Sequence, residues 1–308
     1  MRFVANYRDQ WRQIPVPYTS FSGSVENKFY YSQGNYDRYL TGGLLLNYDK
    51  QGLLSLNSLQ VGIPISWTLP LNPRKPDARS HQFISLGVTP MFGHRNFGTD
   101  KLTFDMQFQG SIFNQENPSF ENTLMNNTAL NYFDISSGIN FRTQSAEKRS
   151  RLDLGLGVFH INKPFHDFWS GELSTAGEIR LQRKWSAYGI GLWQLSPGLD
   201  LVTHGMYQRQ GAYQEVMYGL GGRFHLNRNR YQELAIQAGL DIRHRFGDAL
   251  IPHIEVHWRT WTLGFTYDVN IWSRVNIVTN RRAGPELSLS YRLYQVKPMK
   301  VFKSCQLI

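Results

Sequence analysis

Residues 261–269 read Trp-Thr-Leu-Gly-Phe-Thr-Tyr-Asp-Val, and apolar and polar side chains alternate along them without a break. A period of two is typical of an extended strand, in which successive side chains point to opposite faces. Residues 234–243 and 287–293 follow nearly the same alternation. Their polar positions hold Gly, Ser, Gln, Asp and Arg, which suit the lining of a hydrated lumen. The sequence therefore predicts strands with one apolar and one water-facing surface.

A transmembrane β-barrel explains this pattern, because its outer wall faces lipid while its interior faces water. Turn signals such as residues 49–52, 210–211 and 227–229 separate about 13 alternating segments, and bacterial single-chain barrels have an even number of strands. We therefore predict an all-β fold, an antiparallel transmembrane β-barrel of about 14 strands with long loops, and about 12 strands as the alternative. A soluble β-sandwich rich in aromatic residues is the competing fold.

The composition agrees with one large barrel domain over residues 1–308. Mean hydropathy is −0.41, and no apolar run approaches the roughly 18 residues of a membrane helix. Aromatic residues make up 14% of the chain, and their rings suit the two membrane–water interfaces. The single cysteine, Cys305, excludes an intramolecular disulfide and a cysteine-based zinc site. No signal peptide follows Met1, so we interpret the numbering as that of a processed outer-membrane protein.

The net charge of +10 does not indicate a nucleic-acid partner, because Lys and Arg are dispersed and no nucleic-acid-binding module is recognisable. Basic loops facing anionic lipid head groups, or an acidic protein partner, fit the charge better. A solvated surface without a charge-specific role remains an equal alternative.

Several segments depart from the alternation. Residues 6–11 are compatible with a short helix that ends before Pro15, so residues 1–17 are predicted to plug or brace the lumen. Pro64 and Pro90 each remove a ladder donor, which predicts a bend or bulge at both positions. Residues 96–129 are predicted to form a long extracellular loop or a lumen-filling segment. The basic tail, residues 295–308, is predicted to lie outside the wall.

No catalytic arrangement emerges from the sequence, and no cofactor is predicted. His253 and His257 share one face of a strand with Glu255, which permits a metal pair but is better explained by a hydrated face. Gly219 and the pair at 221–222 fall inside a strand, where small residues make room for a plug or a neighbouring side chain.

Arg243, Arg245 and Asp248 form the most prominent polar cluster, with Asp268 and Asn270 near the end of a later strand. One interpretation is a salt-bridge network in the lumen or at its rim that holds the barrel in shape. The other is a binding site made of the same charges.

Seven short signatures, each weak alone, occur in an order that resembles the PorP/SprF family of the type IX secretion system of Bacteroidetes. They are Arg8-Asp9-Gln10-Trp11, Pro17-Tyr18-Thr19, Gly157-Val158-Phe159-His160 with Pro164, Gln210-Gly211 with Glu215 and Gly219, Arg245 with Asp248-Ala249, Tyr267-Asp268-Val269-Asn270, and Gly284-Pro285-Glu286-Leu287-Ser288-Leu289 with Tyr291. Two features depart from the family pattern. The chain ends at Gln306-Leu307-Ile308 instead of in Cys-Pro-x-Phe, and Phe246-Gly247 interrupts the arginine element.

The resemblance implies a non-enzymatic outer-membrane barrel of the type IX secretion and gliding machinery. Such proteins act with the C-terminal domain of a secreted cell-surface adhesin, or with machine components that include periplasmic ring lipoproteins. Outer-membrane lipid is the other expected partner. The residues that it points to, for partner binding or a lumen network, are Arg8, Asp9, Gln10, Trp11, His160, Arg243, Arg245, Asp248, Asp268 and Asn270.

Two other functions share parts of this sequence pattern. A passive or FadL-like channel for small solutes has the same polar lumen and differs in whether the lumen is open. A soluble carbohydrate-active β-protein would require a paired acid and base in a cleft.

Overall fold

The computed structural model describes most of the chain as strands. The described residues are 1–10, 18–31, 38–52, 55–72, 79–98, 108–109, 112–113, 128–166, 168, 179–229, 232–244, 249–271 and 282–293. The strands in chain order are β1 (Arg2–Gln10), β2 (Tyr18–Phe29), β3 (Tyr39–Gln51), β4 (Leu56–Gly62), β5 (Ile65–Pro70), β6 (Ser80–Asn96), β7 (Phe108–Gln109), β8 (Ile112–Phe113), β9 (Ala129–Ser145), β10 (Arg151–Phe159), β11 (Lys184–Ser196), β12 (Leu199–Gln210), β13 (Tyr213–Asn227), β14 (Leu234–His244), β15 (Ala249–Trp258), β16 (Trp261–Asn270) and β17 (Arg282–Arg292). No helix long and apolar enough to cross a membrane occurs among the described residues.

The strands close into one antiparallel barrel. Each wall strand pairs with its neighbours in sequence, and β1 closes the ring by pairing with β17. Strands β4 and β5 together fill one position, because both lie between β3 and β6. The wall therefore has 14 positions, which confirms the predicted strand number and rules out a sandwich. Within the described part of the chain, the short strands β7 and β8 pair with each other and with no other strand.

The strand register staggers around the wall. We can pass from each residue to its register partner on the next strand, once around the barrel. The path begins at Leu130 of β9, passes through β6, β1 and β10, and returns to β9 at Gln144. The displacement (144 − 130) is 14 residues, or one residue per strand. With about 3.3 Å per residue along a strand and about 4.8 Å between strands, this stagger tilts the strands by roughly 35°.

The exposure pattern is the reverse of that in a soluble protein. The outer face carries apolar side chains such as Leu156 (62% exposed) and Leu220 (64% exposed). The inner face carries carboxylates that are completely inaccessible, Asp134 and Asp200, both 0% exposed. A water-soluble protein rarely exposes such a large apolar surface, so lipid must cover it. This arrangement confirms the predicted transmembrane barrel.

The prediction of a helix and plug at the N-terminus is wrong for residues 2–10. These residues form β1, a wall strand that pairs with β2 on one side and β17 on the other. Phe3 and Tyr7 point outward, whereas Arg8 points into the lumen, so this segment also has a period of two. The alternation is incomplete, because Val4 shares the inward face with Arg8 and Asp9 shares the outward face with Tyr7. Residues 11–17 lie outside the described part of the chain.

Both prolines lie beside the interruption between β4 and β5. The wall strand is interrupted between Gly62 and Ile65, so the irregularity predicted at Pro64 as a bend or bulge is present. The prediction is wrong at Pro90, because β6 continues through it. The Pro90 carbonyl accepts a hydrogen bond from Ile63 N at 3.0 Å. A backbone N–H at position 90 would point to the same side as this carbonyl, toward the interruption between β4 and β5. Its absence in proline therefore costs β6 no ladder hydrogen bond.

The two rims of the barrel differ in their connections. At one rim lie Met1 and Leu293, whose backbones are hydrogen-bonded at 3.0 Å, and two-residue turns at 197–198 and 259–260. At the other rim β6 ends at Asn96 and β9 begins only at Ala129, and β10 ends at Phe159 and β11 begins only at Lys184. Outer-membrane barrels have short periplasmic turns and long extracellular loops. We therefore assign the second rim as extracellular, and the loop bounds predicted at 96 and 129 agree with the structure.

Candidate functional site

A cluster of four charged side chains, here called the rim cluster, lines the lumen near the extracellular rim. It consists of Arg8 from β1, Arg243 from β14, Asp268 from β16 and Glu286 from β17. Oδ2 of Asp268 accepts hydrogen bonds from Arg8 at 2.6 Å and from Arg243 at 3.0 Å. Glu286 lies 3.9 Å from Arg8. The two positive and two negative charges balance, so the cluster links four strands, β14, β16, β17 and β1, across the closure of the barrel.

The structure brings only part of the predicted polar set together. Gln10 lies against the Arg8 guanidinium. Asn270 is buried at the end of β16, whereas Asp9 shares the outward face of β1 with Tyr7. The other predicted members, Trp11, Arg245 and Asp248, lie outside the described residues. The rim cluster has the geometry of the network interpretation, with Arg8 contributed by a strand instead of by a plug.

A second group of contacts, here called the loop anchor, holds residues 160–166 against β6 and β9. His160 has a left-handed backbone (φ 57°) and turns the chain out of the β10 ladder. Its Nδ1 lies 2.7 Å from Oδ2 of Asp134, which is completely inaccessible. Ile161 N donates to Ile135 O at 2.9 Å. The first residues of this extracellular loop are therefore fixed to the wall by both side-chain and backbone bonds.

The outer part of the loop anchor depends on His166. Its Nε2 accepts a hydrogen bond from the Arg95 guanidinium at 2.6 Å, and its ring contacts Tyr132 edge to face, with centroids 5.4 Å apart. Burial, followed by the positive charge of Arg95 and then His160, lowers the pKa of His166 from 6.5 to about 4. The contact therefore requires neutral His166, because a protonated ring cannot accept from Arg95 and is repelled by it.

Acid should release this contact. The unfolded loop takes up a proton near pH 6.5 while the docked form resists it down to about pH 4, so docking is complete above pH 7 and weakens as the pH falls between these values. We expect amide hydrogen exchange in residues 160–166, corrected for its intrinsic pH dependence, to rise up to about tenfold from pH 7 to pH 5. His166→Gln should abolish that rise, and a rise that persists in this variant would contradict the assignment.

The sequence analysis named His160 but did not predict its partner or the other partners in the loop anchor. His160 and Asp134 are separated by 26 residues, and Arg95 and His166 by 71. Nothing in local spacing relates positions so far apart. Only the pairing of β6 with β9 and the return of the chain after β10 bring them together.

Further polar contacts line the lumen below the loop anchor. Asp200 is held by Arg149 at 2.8 Å and by His225 at 2.7 Å, and Arg149 also donates to the carbonyls of Ser196 and Pro197. These bonds tie two periplasmic turns together. Arg149 follows β9, Asp200 lies on β12 and His225 on β13, so no local spacing in the sequence predicts these contacts.

His253 and His257, for which the sequence favoured a hydrated face over a metal pair, contact different carboxylates. Nδ1 of His253 lies 3.4 Å from Asp241, whereas Nε2 of His257 lies 3.1 Å from Glu255. Within the described residues no group of three or more His, Cys, Asp or Glu has the geometry of a metal site. A Cβ at Gly219 would collide with the Asp241 carboxylate, so this inward glycine makes room for a neighbour, as predicted.

Comparison with known proteins places this geometry in a family. The family described as type IX secretion system membrane protein PorP/SprF matches residues 1–291. The chain belongs to this family. Its membership and its inverted exposure pattern make it an outer-membrane β-barrel of the type IX secretion system.

Solved structures of other barrels resemble the fold at low sequence identity. The toluene transporter TbuX of Ralstonia pickettii is 10% identical with a TM-score of 0.49, over 95% of this chain and 90% of that one. A structure titled CymD monoaromatic hydrocarbon channel is 10% identical with a TM-score of 0.47, over 96% and 89% of the two chains. No curated protein matches the chain in sequence.

The barrel closure gives three of the PorP/SprF-like signatures a common location. Arg8 pairs in register with Glu286, and Asp268 pairs with Gly284. The N-terminal, Tyr-Asp-x-Asn and last-strand signatures therefore meet where the ends of the chain join the wall. Arg8, Asp268 and Glu286 of these signatures belong to the rim cluster.

Proposed function

We propose that this PorP/SprF protein is a non-enzymatic outer-membrane barrel that binds a secreted adhesin and holds it at the cell surface. The observation that carries the proposal is the loop anchor, which fixes an extracellular loop to the mouth of a barrel from a secretion family. A loop held in one conformation loses little entropy when a partner binds, and therefore binds more tightly.

The binding needs no covalent step. A stable protein interface buries roughly 800 Å² on each partner, which the long extracellular connections and the rim between them can supply. The C-terminal domain of the adhesin is the proposed ligand at this rim. The opposite, periplasmic rim is the proposed contact surface for secretion components, including ring lipoproteins.

Gentle extraction tests the proposal. Membranes of the native host are solubilised in mild detergent, the tagged barrel is purified, and co-purified proteins are identified and quantified by mass spectrometry. We expect an adhesin with a type IX C-terminal domain in near-stoichiometric amount. His160→Ala, which removes the anchor to Asp134, should reduce that amount, whereas His257→Ala on the far side of the lumen should not. A barrel recovered without any adhesin or secretion component would refute the proposal.

A solute channel is the second candidate, and the polar lining of the lumen favours it. Planar-bilayer recordings distinguish the two functions. Large steady currents through the purified barrel, with no bound protein, would support the channel. An adhesin-holding barrel should remain silent while the adhesin is bound.

A further inference from the structure

Strand β9 has one edge that the wall leaves partly unpaired. On one side β9 pairs with β6 along its whole length, from Ala129 to Ser145. On the other side it pairs with β10 only from Ser137 to Gln144. Because β10 ends at Phe159, the first eight residues of β9 extend beyond their neighbour at the extracellular rim.

The direction of the backbone groups along this edge follows from the loop anchor. Ile135 N–H and C=O both point away from β6, since they bond Asn162 Oδ1 at 3.1 Å and Ile161 N at 2.9 Å. Antiparallel strands alternate these directions, so the groups of Phe133 and Asn131 point to the same side. Among the described residues, Phe133 N–H and both backbone groups of Asn131 have no backbone partner.

The part of the edge that is covered shows what kind of group fits it. The Asn162 side-chain amide accepts from Ile135 N–H and donates to Phe133 C=O at 2.7 Å, as a peptide group of a neighbouring strand would. Beyond this one amide the edge continues for residues 129–133 without the proline or lysine that commonly protects exposed edges.

The edge lies at the boundary of the lipid-facing band. Phe133 and its cross-strand neighbour Phe92 are the last large exposed apolar residues, among those described, on the outward face of β9 and β6. The next outward pair is His94 and Asn131, which are hydrogen-bonded at 2.7 Å. A polar pair of this kind belongs in the head-group region or above it, where a secreted protein can reach the backbone.

We infer that residues 129–133 of β9 form a docking edge for an extended strand of the secreted partner. The partner adds its backbone to the edge and rests an apolar side chain on Phe133, as in other cases of strand addition. This inference rests on the proposed function and specifies where the adhesin is held.

Two variants at Asn131 isolate the backbone contribution. Asn131→Pro removes an N–H that points away from β6, so the β6–β9 ladder keeps its bonds, whereas Asn131→Ala removes the same side chain and retains the N–H. In extracts from the native host, we expect Asn131→Pro to reduce the co-purified adhesin about tenfold relative to Asn131→Ala. Heat-dependent migration in gels checks that both variants are folded.

A photo-crosslinking residue at position 131 gives a second readout that needs no proline. We expect an adduct with the adhesin, mapped by mass spectrometry to an extended segment. Equal adhesin recovery with both variants, or an adduct within the chain's own residues 163–183, would overturn the docking edge while leaving adhesin holding intact. If even the unmodified barrel recovers no adhesin, both the docking edge and the proposed holding of an adhesin are overturned. If Asn131→Pro does not fold, the site of the adduct decides alone.

Discussion

Replacing Asp268 by Asn should lower the free energy of unfolding by about 3 kcal/mol. The Asp268 carboxylate is 3% exposed and neutralises both Arg8 and Arg243, so the substitution leaves two guanidinium groups without their shared anion. Breaking a buried pair costs about 3–5 kcal/mol, and the lower end applies because lumen water reaches Arg8, which is 31% exposed. Denaturant unfolding in detergent micelles, followed by tryptophan fluorescence, measures the change.

The matched control is the ion pair of Arg2, which lies on the same inward face of β1 as Arg8. Arg2 pairs with Glu26 at 3.1 Å, but both side chains are well exposed, 51% and 36%. Replacing Glu26 by Gln should therefore change stability by less than about 1 kcal/mol. If the two variants lose similar stability, the rim cluster does not hold the barrel closure.

Replacing Gly284 by Ala should cost about 3 kcal/mol at the seam between β1 and β17. Gly284 has φ +147°, which L side chains rarely adopt, and a Cβ there would collide with the Asp9 carbonyl. The register between β16 and β17 shifts at the neighbouring pair, so the backbone is already irregular at this position. The loss should appear in denaturant unfolding, and as a lower temperature at which the barrel unfolds in gels.

Gly198 provides the control for this substitution. It lies in a periplasmic turn, and a Cβ there would meet nothing within 4 Å. We expect Gly198→Ala to stay within about 0.5 kcal/mol of the unmodified protein. Since Asp268 and Gly284 are register partners, the double variant should lose less than the sum of the two single losses. Additive losses would indicate that the two residues act on separate parts of the wall.

The strands that the sequence predicted best are those with uninterrupted alternation. Residues 261–269 were predicted as one strand, and β16 runs from Trp261 to Asn270. A barrel strand contacts lipid on one side and water on the other, so the polarity of each side chain indicates which of the two it faces. The strand number followed in the same way, from the turns between such segments.

The candidate site was predictable only where its residues belonged to such a strand. Arg243 and Asp268 were grouped correctly because both fall near strand ends with the same facing. Arg8 was assigned to a plug because β1 is short and polar, and its role as a wall strand depends on the two flanking strands. His166 was not predicted at all, because its partner Arg95 lies on a distant strand.

The sequence by itself determined which residues face lipid and which face water, because the polarity of each side chain sets which of the two it is stable in. It also determined the family, because short signatures remain in order along the chain. The closure of β1 on β17, the pairing of Arg8 with Asp268 and the open edge of β9 were decided by the tertiary structure alone. Those features depend on which strands become neighbours and on where each strand ends relative to the next, and no local pattern encodes either.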